Sequence, residues 1–569
     1  MSRAEMTARG WDELDVLIIT GDAYVDHPSF GAALIGRGLE AMGYRVGITP
    51  QPDWRHVESL HTMGPPRLFV GVTAGNLDSM LSTYTAARHK RKEDAYSEGG
   101  VPGRRPNHAA VVYSQMAKQA FPGVPVVLGG VEASMRRVAH YDYWEDKLRP
   151  SILADAKADL LVYGMGERAV REIARRLDAG CPDLSGIPGT ALLLGAKATS
   201  TVGFSDAVML PSWEELQADN THLMRLTKVV EAQQSPFCGK RMVQRHGNRA
   251  VVMEPPAMPV DGPDLDALYE LPFQRRPHPS YIDPVPAFAT VKDSIIVSRG
   301  CAGGCTYCGL GLHQGKFLSS RSVDSVLEEI RTLAASATFR GTVSDLGGPT
   351  ANLYGARNGH VDGCKVCRRP SCLWPAICPQ FGIDEQRGIN LLRGARAQPG
   401  VQHVFVQSGI RMDVALRTPA YLRELVQHHV SGHLKVAPEH MHPAVLRRMR
   451  RTAGDFPAFM KKFSEESAAA GKEQYLVPYF ISSFPGCTDD EMAAVEEFLR
   501  KENWNLQQVQ DFIPLPMTGA AAMYVTGLDI DSGQPIQVMR HAGERERQKR
   551  ALRPNRAPRS RTSPLDTVD

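Results

Sequence analysis

The sequence predicts an α/β protein in which an N-terminal doubly wound parallel sheet precedes a partial, six-unit TIM-like barrel. Through the first 200 residues, short apolar runs that suit strands buried on both faces alternate with helical patterns. A second series of six strand–helix units begins at about residue 290, which favours a barrel over an open sheet. No run of 18 apolar residues occurs, so a membrane-spanning helix is excluded.

Four apolar runs predict the strands of the first domain, which we place at residues 1–200. The runs lie at 15–20, 68–72, 124–128 and 159–163, and helical patterns lie at 31–42, 109–120 and 167–178. In an open α/β sheet, ligands bind at the carboxyl ends of the strands. The segment that follows the first strand carries Asp22, Asp26, His27 and Gly31, so we expect a ligand to bind near it.

Residues 201–285 are less regular and become rich in proline after residue 254, which is typical of an extended connecting segment. The barrel is predicted over residues 286–535. Its strands are expected at 294–298, 342–346, 403–407, 434–437, 475–481 and 509–513. Its helices are expected at 322–336, 386–398, 419–430, 443–466 and 488–502.

The charge of the chain is unevenly distributed. The net charge is +4, yet residues 540–561 hold nine Arg or Lys and two Glu, so the remainder is slightly acidic. We expect residues 536–569 to form a basic helix followed by a disordered tail. Such a tail would attract a polyanion, so a nucleic-acid substrate is one hypothesis. The N-terminus lacks the apolar region of a secretory signal, so we expect a cytoplasmic protein with no membrane partner.

Seven of the ten cysteines fall between residues 301 and 378, and clustering of this kind in a chain without a secretory signal indicates metal binding. The first group is Cys301, Cys305 and Cys308, spaced C-x3-C-x2-C on a glycine-rich loop directly after the first barrel strand. Three thiolates can hold one face of a [4Fe–4S] cluster and leave one iron open to an external ligand. Zinc with a distant fourth ligand and free thiols are the alternatives. The position of the loop at the active end of a barrel favours the cluster.

This cysteine pattern resembles that of the radical S-adenosylmethionine (SAM) enzymes. The resemblance implies that the open iron binds the amino and carboxylate groups of SAM, and that one electron cleaves SAM to a 5′-deoxyadenosyl radical. It also implies cofactor-binding roles for Tyr307, near the adenine, and for Gly347 and Gly348, whose backbone would meet the SAM amino group. Pro349 stands where that turn usually carries an acid.

Two later segments extend the resemblance. Residues 435–440 are similar to the fourth-strand region of these enzymes, and residues 480–488 to the turn after the fifth strand, with Cys487 in place of the usual acid. Residues 15–552 as a whole resemble the YgiQ-like radical SAM proteins. This resemblance implies SAM and an electron donor such as flavodoxin or ferredoxin as partners. It leaves RNA, a protein side chain and a small metabolite open as substrates.

The second cysteine group lies in an insertion at about residues 355–385. It consists of Cys364, Cys367, Cys372 and Cys378, spaced C-x2-C-x4-C-x5-C. We interpret it as a second metal site. Zinc that stabilises the loop, a second iron–sulfur cluster and redox-active thiols all remain open.

The N-terminal domain resembles the cobalamin-binding-like domain that precedes many radical SAM barrels. A histidine that ligates cobalt from below requires an Asp-x-His-x-x-Gly arrangement. Here Asp26 and His27 are adjacent and Gly31 follows four residues later, so the sequence argues against cobalamin. We therefore predict a radical SAM enzyme. The alternative is a non-catalytic iron–sulfur or zinc protein that binds nucleic acid, which would not cleave SAM.

Overall fold

The computed structural model describes residues 1–554 apart from 360, 505, 507 and 508. Its N-terminal half is built on one large sheet. The strands of this sheet are β1 (Leu14–Thr20), β2 (Val46–Pro50), β3 (Pro66–Thr73), β4 (Val126–Gly129), β5 (Leu160–Val162), β6 (Thr190–Leu194), β7 (Val208–Met209), β8 (Met242–His246) and β9 (Arg249–Met253). Their order across the sheet is β7-β8-β9-β6-β5-β4-β3-β1-β2.

Five of these strands, in the order β2-β1-β3-β4-β5, run parallel to one another. All seven residues of β1 are buried, as expected for a strand that is covered by helices on both faces. The four predicted strands are present within two residues of their expected bounds. Strand β2 was not predicted, because it pairs only with β1 at the sheet edge and most of its residues are half-buried.

Helices cover both faces of this sheet, so the predicted doubly wound class is confirmed. The helices are Arg3–Ala8, Gly31–Glu40, Ser79–Thr83, Ala109–Ala120, Gly130–Ser134, Ile152–Ala156, Glu167–Asp178, Ala196–Thr201, Trp213–Ala218, His222–Ala232, Gly262–Tyr269 and Pro286–Val291.

The segment 201–285 is more regular than its sequence suggests. It contributes β7, β8 and β9, and the antiparallel hairpin of β8 and β9 joins the sheet through β6. Short strands joined by a tight turn carry little periodic signal, which explains why the sequence did not reveal them. Only the proline-rich part from residue 254 onward is largely irregular, apart from the helix Gly262–Tyr269.

The second half contains the six predicted barrel strands. They are Ser294–Ile296, then Thr342–Val343 with Asp345–Gly347, then His403–Val404, His433–Glu439, Tyr475–Ser482 and Gln510–Asp511. Each pairs in parallel with the next along the chain, and the third meets the fourth through a single bridge between Ile410 and Val436. Within the described ranges the first and sixth strands are not hydrogen-bonded, so the six strands form a partial barrel that is not closed.

The barrel helices also follow the expected pattern. They are Leu310–His313, Val323–Ala334, Asp362–Lys365, Glu385–Arg396, Met412–Ala415, Pro419–His428, Pro443–Arg448, Asp455–Ala469, Asp489–Lys501, Gly519–Thr526 and Ala542–Ala551. The single helix predicted at 443–466 is broken in two, since Arg450 (φ +57°) and Gly454 (φ +86°) both adopt left-handed backbone conformations. No described helix is both long enough and apolar enough to cross a bilayer.

A buried ion pair joins the two halves beside the site. Arg299, directly before the cysteine loop, bonds Glu167 at 2.5 Å, and its Nε donates to Tyr269 at 2.9 Å. Both charged side chains are at least nine-tenths buried. Removing one partner would leave the other charge unpaired in the interior, which is strongly destabilising. The contact therefore holds the sheet and the barrel in a fixed relation.

Candidate functional site

The loop that carries Cys301, Cys305 and Cys308 is shaped by its glycines. Gly300 (φ +85°) and Gly304 (φ +61°) adopt backbone conformations that other residues rarely take. A Cβ on Gly300 would lie 2.2 Å from the carbonyl oxygen of Phe317. The Cys301 N–H donates to Gly315 O at 3.0 Å, and the Cys308 N–H to Cys305 O at 3.2 Å. The glycines thus allow a tight loop that keeps all three thiols half-buried.

The thiols of this loop lie in a shared electrostatic environment. Burial, together with the nearby Cys305 and Cys301, raises the pKa of Cys308 to about 12. Burial also raises the pKa of Cys301, with Cys305 again contributing. Arg411 brings a positive charge, since its Nη1 lies 3.7 Å from Cys305 Sγ. Thiols in such a setting become thiolates readily only when a cation binds them.

The loop suits a cluster better than a single ion. Among the described residues, no three or more His, Cys, Asp or Glu side chains are gathered tightly enough to hold one metal ion. In a cubane each thiolate binds a different iron, so the sulfurs need not converge on one point. A Cβ on Gly303 would lie 3.4 Å from Cys301 Sγ and 3.7 Å from Cys305 Sγ. The backbone therefore passes close to the thiols, and the donor set fits a [4Fe–4S] cluster.

The structure places the turn of Gly347 and Gly348 beside the start of the cysteine loop. A Cβ on Gly348 would lie 2.7 Å from Ser298 O, and one on Gly347 would lie 1.9 Å from Ser408 Oγ. Asp345 fixes the neighbouring strand end, because its Oδ1 accepts from Ser408 N at 3.1 Å. A side chain at either position would collide with Ser298 or Ser408, so the glycines allow this turn to pack closely beside the loop.

Tyr307 connects the cysteine loop to the ends of the fourth and fifth strands. Its hydroxyl donates to Glu439 Oε1 at 2.8 Å, and its ring meets Phe484 edge-on with centroids 6.3 Å apart. Glu439 itself has a left-handed backbone (φ +68°), and burial raises its pKa. The sequence motifs at 435–440 and 480–488 are thus brought together around Tyr307.

Two charged residues at this site were not predicted. Arg411 pairs with Asp413, and its backbone is fixed by Asn352, whose amide oxygen accepts from Arg411 N at 2.8 Å. They follow the third strand, and the carboxyl ends of barrel strands are where site residues collect. Their position after the third strand could therefore have identified Arg411 and Asp413 as site residues from the sequence. Cys487 instead lies buried in the core, 3.3 Å from His440 Nε2, where it packs rather than faces the site.

A cavity of about 780 Å³ separates the N-terminal sheet from the cysteine loop. The chain places β2 on one side of β1 and then crosses to place β3 on the other side, so the sheet has a switch point between β1 and β3. Doubly wound sheets bind ligands at such a switch point. Residues at the ends of these two strands, including Asp22 and Asn76, line one side. Tyr307, Cys308 and Leu310 line the other. The side chains that line it within the described chain include no Lys or Arg.

Asp22 is one of three buried carboxylates that line this cavity, together with Asp78 and Glu167. Burial raises the pKa of Asp22 to about 6, although Arg105 acts in the opposite direction at 2.8 Å. His27 and Asp26 do not line the cavity. His27 is fully buried beside Val291 and Arg275, and Asp26 pairs with Arg37. The structure therefore keeps only Asp22 and Gly31 of the predicted polar segment at the cavity wall.

The second cysteine group packs directly on the first. The Cys372 N–H donates to Ala302 O at 3.0 Å, and Ser371 Oγ donates to Gly303 O at 2.8 Å. Asn358 Nδ2 lies 3.5 Å from Cys372 Sγ. Lys316 is buried and donates to two carbonyls of the same segment, those of Cys367 and Arg369. The insertion therefore packs directly against the cysteine loop.

A fifth cysteine joins this insertion. Cys238 Sγ lies 4.0 Å from Cys367 O, and Arg368 donates to Cys238 O at 3.2 Å. In the sequence Cys238 stands far from the group, so only folding reveals the contact. Cys181 remains exposed and isolated from both groups.

Several arginines in the described part of the basic C-terminal segment are engaged within the molecule. Arg545 pairs with Asp511 at 2.9 Å, and Arg547 pairs with Asp489 at 3.1 Å. Arg540 donates to Val525 O at 3.0 Å. The predicted basic helix is present at Ala542–Ala551, whereas the disorder predicted for the tail concerns residues that begin to fall outside the described ranges at 555. These ion pairs reduce the positive charge on which the nucleic-acid hypothesis depended.

Comparison with known proteins supplies the family. Residues 1–294 match the radical SAM N-terminal family, and residues 295–499 match the radical SAM superfamily. A UPF0313 protein of Geobacter sulfurreducens, GSU2873, is 49% identical over 100% of this chain and 94% of its own length. The UPF0313 protein YgiQ of Shigella flexneri is 41% identical over 93% of this chain and 79% of its own length.

A solved structure shares the fold. The radical SAM methyltransferase TsrM from Kitasatospora setae, with cobalamin and a [4Fe–4S] cluster bound, aligns with a TM-score of 0.51 and 16% identity. The alignment covers 89% of this chain and 73% of TsrM. Radical SAM membership implies iron, a [4Fe–4S] cluster and SAM. By sequence, domain content and fold, this chain belongs to the UPF0313 family of the radical SAM superfamily, in which YgiQ is also found.

Proposed function

We propose that this protein is a radical SAM enzyme whose [4Fe–4S] cluster is held by Cys301, Cys305 and Cys308. The observation that carries the proposal is the position of these thiols. They lie on one glycine-shaped loop between the glycine turn at 347–348 and the 780 Å³ cavity. When bound, the cluster and SAM supply reductive cleavage of SAM to a 5′-deoxyadenosyl radical.

The protein's own residues would bind and orient the cofactors. The turn of Gly347 and Gly348, which packs closely against Ser298 and Ser408 beside the loop, would offer backbone groups to SAM. Tyr307, fixed by Glu439, would bound the adenosyl side of the site and also reaches the cavity. Arg411 would balance part of the thiolate charge at Cys305. The insertion at 355–385 would shield the loop from water on its other side.

We infer that the substrate binds in the cavity, where Cys308 and Tyr307 bring the radical chemistry to the end of the N-terminal sheet. Its lining is mostly apolar and includes the Asp22 carboxylate. A polyanion would find no positive side chain among the described lining residues, which favours a neutral or cationic organic molecule over RNA. This lining and the ion-paired C-terminal segment also argue against the non-catalytic nucleic-acid binder.

Cobalamin bound through a histidine is not part of the proposal. TsrM binds cobalamin, but it shares only the fold with this chain. The imidazole of His27 is packed away from the cavity, and its Nε2 is buried without a hydrogen-bond partner among the described residues. A lower ligand from that position would require the segment to refold.

For the second cysteine group we propose an iron–sulfur cluster. The four thiols lie on one short segment, and a cluster can bind each thiolate at a different iron. Their segment also packs against the first loop, so a second redox centre would lie next to the first.

The test is SAM cleavage by anaerobically reconstituted protein. With dithionite as reductant, the wild type should form 5′-deoxyadenosine, and Cys301→Ala should form none. Cys181→Ala changes an exposed cysteine away from both groups and should retain full activity. Deoxyadenosine from Cys301→Ala at the wild-type rate would overturn the assignment of the cluster ligands. No deoxyadenosine from the wild type with a loaded cluster would overturn the proposed function.

A further inference from the structure

The cysteine loop has two faces with different surroundings. Residues 307–310 line the cavity on one face. On the other face the insertion touches the loop, because Cys372 N donates to Ala302 O, and a Cβ on Gly304 would lie 2.5 Å from Pro370 O. A cavity of about 780 Å³ can hold a small molecule but cannot admit a donor protein. The insertion therefore offers the alternative route to the cluster.

The outer side of the insertion is basic and carries one exposed apolar side chain. Val366 is 72% exposed, the most exposed large apolar side chain of the barrel half in the described residues. Around it lie Lys365, Arg368 and Arg369, which are all exposed. We call these four residues the basic insertion surface.

Two of the three positive charges on this surface have no carboxylate partner among the described residues. Arg368 donates only to the carbonyls of Ala232 and Cys238, and Arg369 to the carbonyl of Trp374. No described carboxylate lies within ion-pair distance of either guanidinium. Lys365 has one partner, the exposed Asp362 at 2.9 Å. Exposed charges of one sign around a small apolar centre are typical of an electrostatically guided docking surface.

We propose that the basic insertion surface docks an acidic, low-potential, one-electron donor protein such as flavodoxin, and that this inference rests on the proposed function. The donor loses one electron and the cluster on the cysteine loop gains it. No bond forms or breaks in this step, and no proton moves. The route from the surface to the loop runs along residues 366–372 and crosses the hydrogen bond from Cys372 N to Ala302 O.

The positive charge of this surface decides the chemistry of the partner. An acidic donor is attracted from solution by the two exposed guanidinium groups that lack a carboxylate partner among the described residues, and salt weakens this attraction by screening. Val366 would then be covered by the partner's apolar contact, as in the centre of a transient interface. A nucleic acid would meet the same charges, but it has no reason to dock above the cluster loop.

The test measures binding and electron delivery separately. In Arg368→Glu/Arg369→Glu, the Kd for a purified bacterial flavodoxin should rise about tenfold at low salt, and its salt dependence should flatten. Deoxyadenosine formation driven by reduced flavodoxin should fall by a similar factor, while formation driven by dithionite stays at the wild-type rate. Dithionite is a small reductant that does not need the docking surface.

Two further variants keep the result interpretable. Arg340→Glu/Lys461→Glu changes the net charge equally at exposed positions on other elements, and it should leave flavodoxin binding unchanged. Arg368→Gln/Arg369→Gln retains amide donors for the carbonyls that the arginines bond, and it should weaken binding by a smaller factor. The Arg368→Gln/Arg369→Gln variant still tests the proposal if the Arg368→Glu/Arg369→Glu variant fails to fold.

Several outcomes would overturn the proposal. An unchanged Kd in both insertion variants would do so, as would an equal loss in the Arg340→Glu/Lys461→Glu control. A loss of dithionite-driven activity in the folded Gln variant would assign these arginines to cluster positioning instead. Binding of single-stranded RNA that the Glu variant abolishes, with flavodoxin binding intact, would assign the surface to nucleic acid. If the wild type cleaves no SAM with dithionite, the proposed function fails, while the Kd still reports on the docking surface.

Discussion

The two cysteine groups touch each other but are built in opposite ways. The first lies on a glycine-shaped loop whose neighbours are core residues, and burial raises the pKa of Cys301 and Cys308. The second lies on an insertion with short helical turns, exposed basic side chains and the exposed Val366. The contrast agrees with our proposals of a SAM-binding cluster at the first group and of a docking surface for a donor protein beside the second.

The largest effect is expected from removing each group of cysteines in turn. The triple Ala variant at Cys301, Cys305 and Cys308 should lose all SAM cleavage but keep iron and sulfide at the second group. The quadruple Ala variant of the second group should keep one cluster and dithionite-driven SAM cleavage. Metal and sulfide analysis with the deoxyadenosine assay measures both. One zinc per chain and little iron in the triple variant would show that the second group holds a structural zinc ion and not a cluster.

A smaller but still large effect is expected from Gly304→Ala. The left-handed backbone costs about 1–2 kcal/mol for a residue with a Cβ, and the new Cβ would collide with Pro370 O at 2.5 Å. Loss of stability and of cluster loading should follow, measured by thermal denaturation and iron content. Gly311→Ala is the matched control, since its added Cβ has only an ordinary contact and lies in the helix Leu310–His313. Equal loading of the two variants would contradict the close packing of loop and insertion.

Buried and exposed thiols should differ in their rates of alkylation. Because the pKa of Cys308 is raised to about 12 by burial and by its cysteine neighbours, little thiolate is present at pH 8 in the cluster-free protein. Its alkylation by iodoacetamide should be at least about tenfold slower than that of exposed Cys181, and it should accelerate as the pH rises. Peptide mass spectrometry gives each rate. Equal rates at pH 8 would show that the inner loop opens without its cluster.

The smallest effect is expected from Tyr307→Phe. Loss of the hydrogen bond to Glu439 should cost about 1 kcal/mol of stability and weaken SAM binding several-fold, because the ring loses its fixed position. Tyr354→Phe removes a comparable bond, from Tyr354 Oη to Arg321 O at 2.9 Å, away from the cavity lining. Tyr354→Phe should lower the stability by a similar amount to Tyr307→Phe and leave the Kd for SAM unchanged. Equal SAM affinity in the two variants would show that Tyr307 does not contribute to SAM binding.

Much of the fold could be predicted because it rests on local pattern. The buried strand β1 and the helices Gly31–Glu40, Ala109–Ala120 and Glu167–Asp178 follow hydrophobic periodicity almost residue by residue. The edge strand β2 and the hairpin of β8 and β9 were missed, since short or half-exposed strands lack that periodicity. The break at Arg450 and Gly454 was missed because an apolar helical pattern continues across it.

The sequence alone determined the α/β class, the radical SAM family and the three-cysteine loop. Each depends on residue types at fixed spacing, and spacing is a property of the chain itself. Tertiary structure alone decided that the insertion lies beneath that loop, that Cys238 joins it, and that Arg411 approaches Cys305. It also turned His27 away from the cavity. The first three contacts join residues about 70 to 130 positions apart, and His27 packs against residues about 250 positions away. No local pattern encodes which distant surfaces will pack together.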